Sequence, residues 1–350
     1  MRRLASGVVA CLSVGAVLIV GAPPANSAAP VTGAQPVPVP AAGRPVDTSR
    51  PNRVVGRGTP ASCTSAAVVA AVRAGGIIRF SCGPRPVTVR MTATAKVRNT
   101  SARVVLDGGG LVTLSGEGLR RVLYMDTCDP AQVWTTSHCQ DQATPRLVIQ
   151  NLTMIDGNST GQRFDGGGGG AIFARGGQLR IVNSTFTGNR CDHYGPDLGG
   201  GAVRALSEYR DLPVYVVGSR FTGNACSNGA ALSSIGVSWT VLNSRFVDNR
   251  AIGSGANPAR SGTPGGGSGG AIYNDGDRMV LTIGGSVFVG NRANEGGGAI
   301  FFVSDDRTGT MTITDSTLED NPNAGFHTAG LPGIFFLGAR RPTIRGSILR

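Results

Sequence analysis

Lysine occurs once in this chain, at Lys96, against abundant arginine, and aromatic residues make up only 5% of the sequence. So few rings argue against a basic surface interleaved with stacking aromatics for single-stranded nucleic acid, and no nucleic-acid partner is expected. No Cys-x-x-Cys unit is present, which disfavours a zinc or thiol-redox site. The three histidines include two, His138 and His327, with no metal-ligand spacing around them, and no metal centre is expected from them. Long apolar runs are confined to the stretch Leu4 to Val20. It follows Arg2-Arg3 and precedes the small residues Ala22 to Ala29, so residues 1–28 read as an export signal and no membrane span is expected after its removal. Cys11 within Val8-Val9-Ala10-Cys11 leaves a lipoprotein box as an alternative, and Arg2-Arg3 a twin-arginine signal.

Loss of Arg2, Arg3 and Cys11 with that signal lowers the formal charge from +12 to +10 and leaves Cys63, Cys82, Cys128, Cys139, Cys191 and Cys226. An even number in an exported chain predicts disulfides. The basic balance points to an anionic partner such as an acidic polysaccharide or cell-surface polymer, or else to the codon usage of a GC-rich genome. Residues 29–58 are rich in proline (Pro36, Pro38, Pro40, Pro45, Pro51) and read as a disordered linker. From residue 59 the pattern changes. Thr64 and Ser65 can cap a short helix over Ala66 to Ala74 that Gly75-Gly76 ends, and short β-prone segments follow. Residues 59–100 are expected to form an N-terminal cap and first coils, stapled by Cys63–Cys82, and a polar loop over 126–144 to be closed by Cys128–Cys139.

The 54 glycines are not scattered, and no three-residue period links them. Over 151–350 two units alternate. One is a corner ending in Asn158, Asn189, Asn224, Asn249, Asn291 or Asn321. All but Asn158 have, three positions earlier, an apolar residue within a Ser-x-Phe or Ser-x-Leu unit: Phe186, Phe221, Phe246, Phe288 and Leu318. The other unit is Gly170-Ala171-Ile172, with counterparts at Gly201-Ala202-Val203, Ala230-Ala231-Leu232, Gly270-Ala271-Ile272 and Gly298-Ala299-Ile300. The stretch from alanine to the next Phe or Leu is nearly constant, whereas that from asparagine to the next alanine varies widely. Coils of one cross-section with insertions at one corner explain this, because such short strands bury a face only by stacking. The expected fold over 59–350 is an all-β parallel β-helix solenoid with a short capping helix, monomeric. Stacked asparagines would satisfy backbone groups at one corner, and stacked phenylalanines would fill the interior. Cys191 and Cys226 each lie two residues after a repeat asparagine, so the register pairs them at the coil spacing of about 4.8 Å.

These paired Gly-Gly-Ala-Ile and Phe-x-x-Asn units resemble the repeats of chlamydial polymorphic outer-membrane proteins. More broadly they are similar to the right-handed parallel β-helix, pectate-lyase-like superfamily. The resemblance implies a right-handed solenoid and a range of functions, from polysaccharide lyase and glycosidase to adhesin. It departs from the polymorphic proteins in lacking a C-terminal barrel translocator, and the printed sequence stops at Ile348-Leu349-Arg350 within a strand-like segment.

A lyase of that kind needs carboxylates that hold Ca²⁺ beside a proton-abstracting base. Asp275, Asp277, Asp305 and Asp306 are the acidic residues suited to Ca²⁺, in turns where Asp and Gly are equally expected for backbone reasons. Asp192, His193 and Asp197 form the best acid/base cluster, with Asp305 and Asp306 as further catalytic candidates for a lyase or hydrolase. The variable corner is the better prospect for binding, since solenoid insertions gather on one side. Arg190, Arg250 and Arg292 each follow a repeat asparagine and could form a column for acidic glycans, with His327 nearby. The leading expectation is therefore an exported, non-catalytic binder of an extracellular polymer. Lyase or glycosidase activity on an acidic polysaccharide is the first alternative, and a structural solenoid without ligand the second.

Overall fold

The computed structural model describes residues 33–350 apart from Phe164; the expected signal at 1–28 lies outside them. The chain is mostly β, in parallel sheets of 17, 8 and 3 strands, with a single α-helix among the described residues. That helix, Ser65–Ala74, is N-capped by Thr64, whose Oγ1 accepts from the Ala67 amide, and ends at Gly75 with φ of 71°. Its Val68 and Val72 are fully buried against the first coils, closing a core that would otherwise be open at that end.

Each coil contributes three strands. In one coil they are Ile172–Arg175, Gln178–Val182 and Thr185–Thr187, and each pairs in parallel with its counterpart in the next coil. The counterparts of the first are Ala95–Lys96 and Leu123–Asp126 before it and Val203–Leu206, Leu232–Ile235, Ile272–Gly276, Ile300–Ser304 and Ile334–Leu337 after it, which together make the 8-stranded sheet. The other two belong to the 17-stranded sheet, bent between them by a residue in the left-handed region: Asn151, Asn183, Gly218, Asn243, Gly285, Asp315 and Gly346, all with φ between 48° and 59°. Only Gly, Asn and Asp adopt that conformation readily, which explains why those three types alone fill the column.

Serines follow that bend in six consecutive coils and form a ladder that local reading missed. The Ser184 amide donates to Ser219 Oγ, Ser219 to Ser244, Ser244 to Ser286, and so on to Ser347, at 3.0–3.1 Å. The next bend carries the asparagines. Asn189, Asn224, Asn249 and Asn291 are fully buried, and each side-chain amide donates to the Oδ1 of the next, at 2.8–3.0 Å. Asn158 is not part of this ladder. Phe186 stacks on Met154, which puts Gly157 at the ladder position, and its amide donates to Asn189 Oδ1. Asn158 falls one residue later, beside Arg190. Inside, Phe186, Phe221, Phe246 and Phe288 stack face to face with centroids 4.5–4.9 Å apart.

Disulfides join Cys63–Cys82, Cys128–Cys139 and Cys191–Cys226, the last with Cα atoms 4.8 Å apart. Three bridges in so small a chain mark an oxidising compartment.

The expectation of a disordered linker over 29–58 is corrected for residues 33–58. They run as a strap along the outside of the 17-stranded sheet, from the last coils back to the first. The Gln35 amide donates to Asp315 O, Val37 exchanges two hydrogen bonds with the Asn243 side chain, and Val46 exchanges two with Gln150. Thr48 donates to Asp107, and Arg53–Val55 pairs with Gly76–Phe80 as the first strand. Burial alone would push the Asp107 carboxyl up, but hydrogen bonds from Thr48, Asn151, Gly109 and Gln150 outweigh it and hold the group below its ordinary value. Before Arg53, prolines leave the strap no ladder of its own, and its partners are spread along the chain as far as Asp315. Composition alone therefore reads it as a linker.

Candidate functional site

The asparagine bend is flanked on both sides by arginines in register. On the strand before it, Arg220 pairs with Arg245; just after it, Arg250 pairs with Arg292 in the short third sheet. Adjacent coils are close here, since Cys191 and Cys226, next to this column, have Cα atoms 4.8 Å apart. None of these four arginines forms a salt bridge among the described residues, and all but the half-buried Arg245 are exposed. Burial, and then the charge of Arg220, makes the Arg245 guanidinium a weaker base than usual. Like charges one rung apart repel by roughly 0.5–1 kcal/mol even in water, and no salt bridge among the described residues offsets that cost directly. Beside Arg250 and Arg292 a groove of about 530 Å³ also takes in Arg350, Asp248 and Asp320.

The predicted column is therefore only partly formed. Ala225 stands between Arg190 and Arg250, and the Arg190 guanidinium instead donates to Gly118 O at 2.8 Å. His327 is exposed in the last coil, next to Phe326, whose ring meets Phe335 edge-on at 4.8 Å. Arg220 and Arg245 escaped sequence reading because they precede the motif asparagine; their spacing before Phe221 and Phe246 was the available signal.

The variable loops do not stand out as a free binding face. They fold over the outer side of the 8-stranded sheet and bury a column that includes Tyr124, Phe173, Arg204, Tyr273 and Phe301. Arg121 and Asp165 pair beneath them at 2.7 Å. Arg204 donates to Ser233 Oγ at 2.6 Å and to the Asp197 carbonyl, and burial lowers its pKa to about 10. The Asn257 side-chain amide, from a third loop, lies within hydrogen-bond distance of the Tyr273 hydroxyl, of Asp275 at 2.8 Å and of Asp197 at 3.1 Å, and shares its two N–H groups among them. Covering an aromatic column calls for such partners, since buried donors need acceptors, and only the Nε of Arg204 goes without one on that side chain.

The proposed catalytic cluster is taken apart by the same loops. Asp192 turns inward and accepts from Arg163 at 2.9 Å and from the Gly161 amide at 3.2 Å. His193 is exposed and meets only the edge of Tyr194 among its described ring contacts. Asp197 joins Asp275 and Asp305 at a groove of about 550 Å³ that Arg204 also lines. Burial is the main reason the Asp275 carboxyl lies above its ordinary value, the nearby Asp305 and Asp197 adding to it against the Tyr273 hydrogen bond. Asp306 is engaged by Thr308 and Ser304 in its own turn. Asp275, Asp277, Asp305 and Asp306 do not converge: among the described residues no group of three or more His, Cys, Asp or Glu side chains could hold a metal ion.

Residues 285–303 match the model of the Chlamydia polymorphic membrane protein repeat. That segment is part of one coil, holding Ser286, Phe288, Asn291 and Gly298-Ala299-Ile300. It is similar to such a repeat over that length. No curated protein and no solved structure matches the chain significantly. No helix among the described residues is long and apolar enough to cross a membrane.

Proposed function

We propose that this chain is an exported, right-handed parallel β-helix protein that holds an acidic extracellular polymer, such as a uronate-rich polysaccharide, along the Arg220–Arg245 and Arg250–Arg292 edge. The observation that carries this reading is the two pairs of arginines stacked in register, none of them in a salt bridge among the described residues. A polyanion laid along the stacking axis would neutralise successive rungs, and guanidinium forks suit carboxylates. Right-handed winding follows the general preference of parallel crossovers. The similarity to a surface-protein repeat and the three disulfides support an extracellular location. A second reading, hydrolysis or lyase cleavage of the same polymer, draws on the buried Asp275 in its groove beside Asp197, Asp305 and Arg204; release of shortened or unsaturated products would mark it.

Titration with polygalacturonate, with neutral dextran as control, tests the binding reading. Arg250→Glu with Arg292→Glu is expected to weaken binding at least about tenfold and to flatten its salt dependence by about two ion equivalents. Arg190→Glu, one rung removed by Ala225, is expected to have a smaller effect. Unchanged affinity in the double variant, or equal binding of dextran, would sink the proposal.

A further inference from the structure

The excess positive charge is not spread along the solenoid. Residues 53–125, the cap and first coils, hold eleven arginines and lysines against Asp107 and Glu117 alone, whereas residues 126–350 hold eighteen of each sign. Of those eleven cations only Arg90 and Arg121 form salt bridges among the described residues. The edge of the 8-stranded sheet, Ala95–Lys96, lies in this region. Around it Ala95, Val97 and Asn99 are buried, while Thr94, Lys96 and Arg98 alternate with them on the outer face. Lys96 and Arg98 thus stand roughly 7 Å apart along the chain, on one side of it.

The capping helix and the disulfide loop turn that outer face into a cleft of about 380 Å³. The Thr92 amide donates to Ser65 Oγ at 2.9 Å, which ties the strand to the start of the helix. Val69 and Arg73, one helical turn apart, form one wall. Asn99 holds the loop opposite: its amide donates to Gln132 O at 3.0 Å, and its Nδ2 to Trp134 O at 2.6 Å. Pro130, Ala131 and Val133 of that loop line the other wall. Arg73, Lys96 and Arg98 all line the cleft, and no carboxylate does. Asp129, beside the loop wall in sequence, is occupied by the Ala131 amide and the Gln132 side chain, both at 2.9 Å. Lys96 Nζ lies 5.4 Å from the Tyr124 ring centre, a contact that attracts the ammonium without neutralising it.

We propose that this cleft binds a phosphomonoester of a small sugar or polyol, its phosphate among Arg73, Lys96 and Arg98. Three cations exceed what a single carboxylate balances, whereas a phosphomonoester brings nearly two charges and three strong acceptor oxygens. The apolar wall suits a short carbon skeleton, and no aromatic ring lines the cleft to stack a base. Its volume falls at the small-molecule end of the roughly 300–1,000 Å³ range of ligand pockets. The site is separate from the Arg250–Arg292 edge and does not rest on the polymer-binding reading.

Calorimetry on the exported chain, with glucose 6-phosphate, glucuronate and glucose as probes, tests this. Glucose 6-phosphate should bind saturably, glucuronate at least about tenfold more weakly, and glucose more weakly still. Lys96→Gln, at an exposed position, should weaken glucose 6-phosphate binding at least about fivefold at an unchanged thermal midpoint. Arg250→Glu with Arg292→Glu should leave it unchanged. Lys96 is the only lysine in the chain. Its acetylation by an N-hydroxysuccinimide ester, read by peptide mapping, should therefore be slowed by glucose 6-phosphate and not by glucose. Absence of saturable binding would overturn the proposal. So would glucuronate binding as tightly as glucose 6-phosphate, or a Lys96 that the phosphate ester does not protect.

Discussion

Asn249→Ala is expected to lower the unfolding free energy by about 3–5 kcal/mol, read from urea denaturation. Asn249 is fully buried, and its side chain serves three coils. Its Oδ1 accepts from the Asn224 amide at 3.1 Å and the Asn224 side chain at 2.9 Å. Its Nδ2 donates to Asn291 Oδ1 at 2.8 Å and to Phe221 O at 3.1 Å. Alanine removes all four bonds and strands Asn224 donors and the Phe221 carbonyl in the interior, where each unmet group costs about 1–3 kcal/mol. Coupling in a solenoid passes from neighbour to neighbour, so the loss falls on the coils either side. Asn158→Ala is the matched control. Asn158 donates to Gly118 O outside the ladder, and its removal should cost no more than about 1 kcal/mol.

The second large effect is expected beneath the loops. Arg121 and Asp165 are at most 4% exposed. The guanidinium lies 4.8 Å from the Phe173 ring centre and also donates to Gly168 O and Gly169 O, at 2.7 and 3.0 Å. Asp165→Asn leaves that charge buried without its counter-ion, a loss of about 3–5 kcal/mol. Replacing both partners together, Arg121→Met with Asp165→Leu, should recover much of it, because the desolvation cost of the pair disappears too. A double-mutant cycle should therefore show coupling of more than about 2 kcal/mol; additive losses would mean that the two residues act separately.

Repetition made much of the core legible. Phe186, Phe221, Phe246 and Phe288 recur at a set distance from an asparagine, and stacking brings equivalent positions together. The same register pairs Cys191 with Cys226 without any reference to coordinates. Reading failed where partners are tertiary. Asp165 looks like a loop carboxylate in the sequence, yet its partner is 44 residues earlier and its loop lies over an aromatic column. Asp192 beside His193 has the composition of a catalytic pair, but Arg163 draws it inward. Asn158 matched the motif by residue type, whereas Met154 sets the register one position earlier. The strap from Gly33 to Asn52 was illegible for a similar reason, its side-chain anchors Asp107, Gln150 and Asn243 being spread over much of the chain. Of the candidate basic edge, Arg250 and Arg292 could be read from their place after the asparagine. The interruption at Ala225 needed the coil-by-coil alignment.

The central claim is that equivalent repeat positions stack coil upon coil, since the ladders, the buried phenylalanines and the arginine edge all depend on it. Peptide mapping of the unreduced, exported protein tests it most directly. The account predicts one cross-linked peptide joining Cys191 to Cys226, whose Cα atoms the register places 4.8 Å apart. Finding Cys191 or Cys226 bonded instead to Cys128 or Cys139 would contradict it.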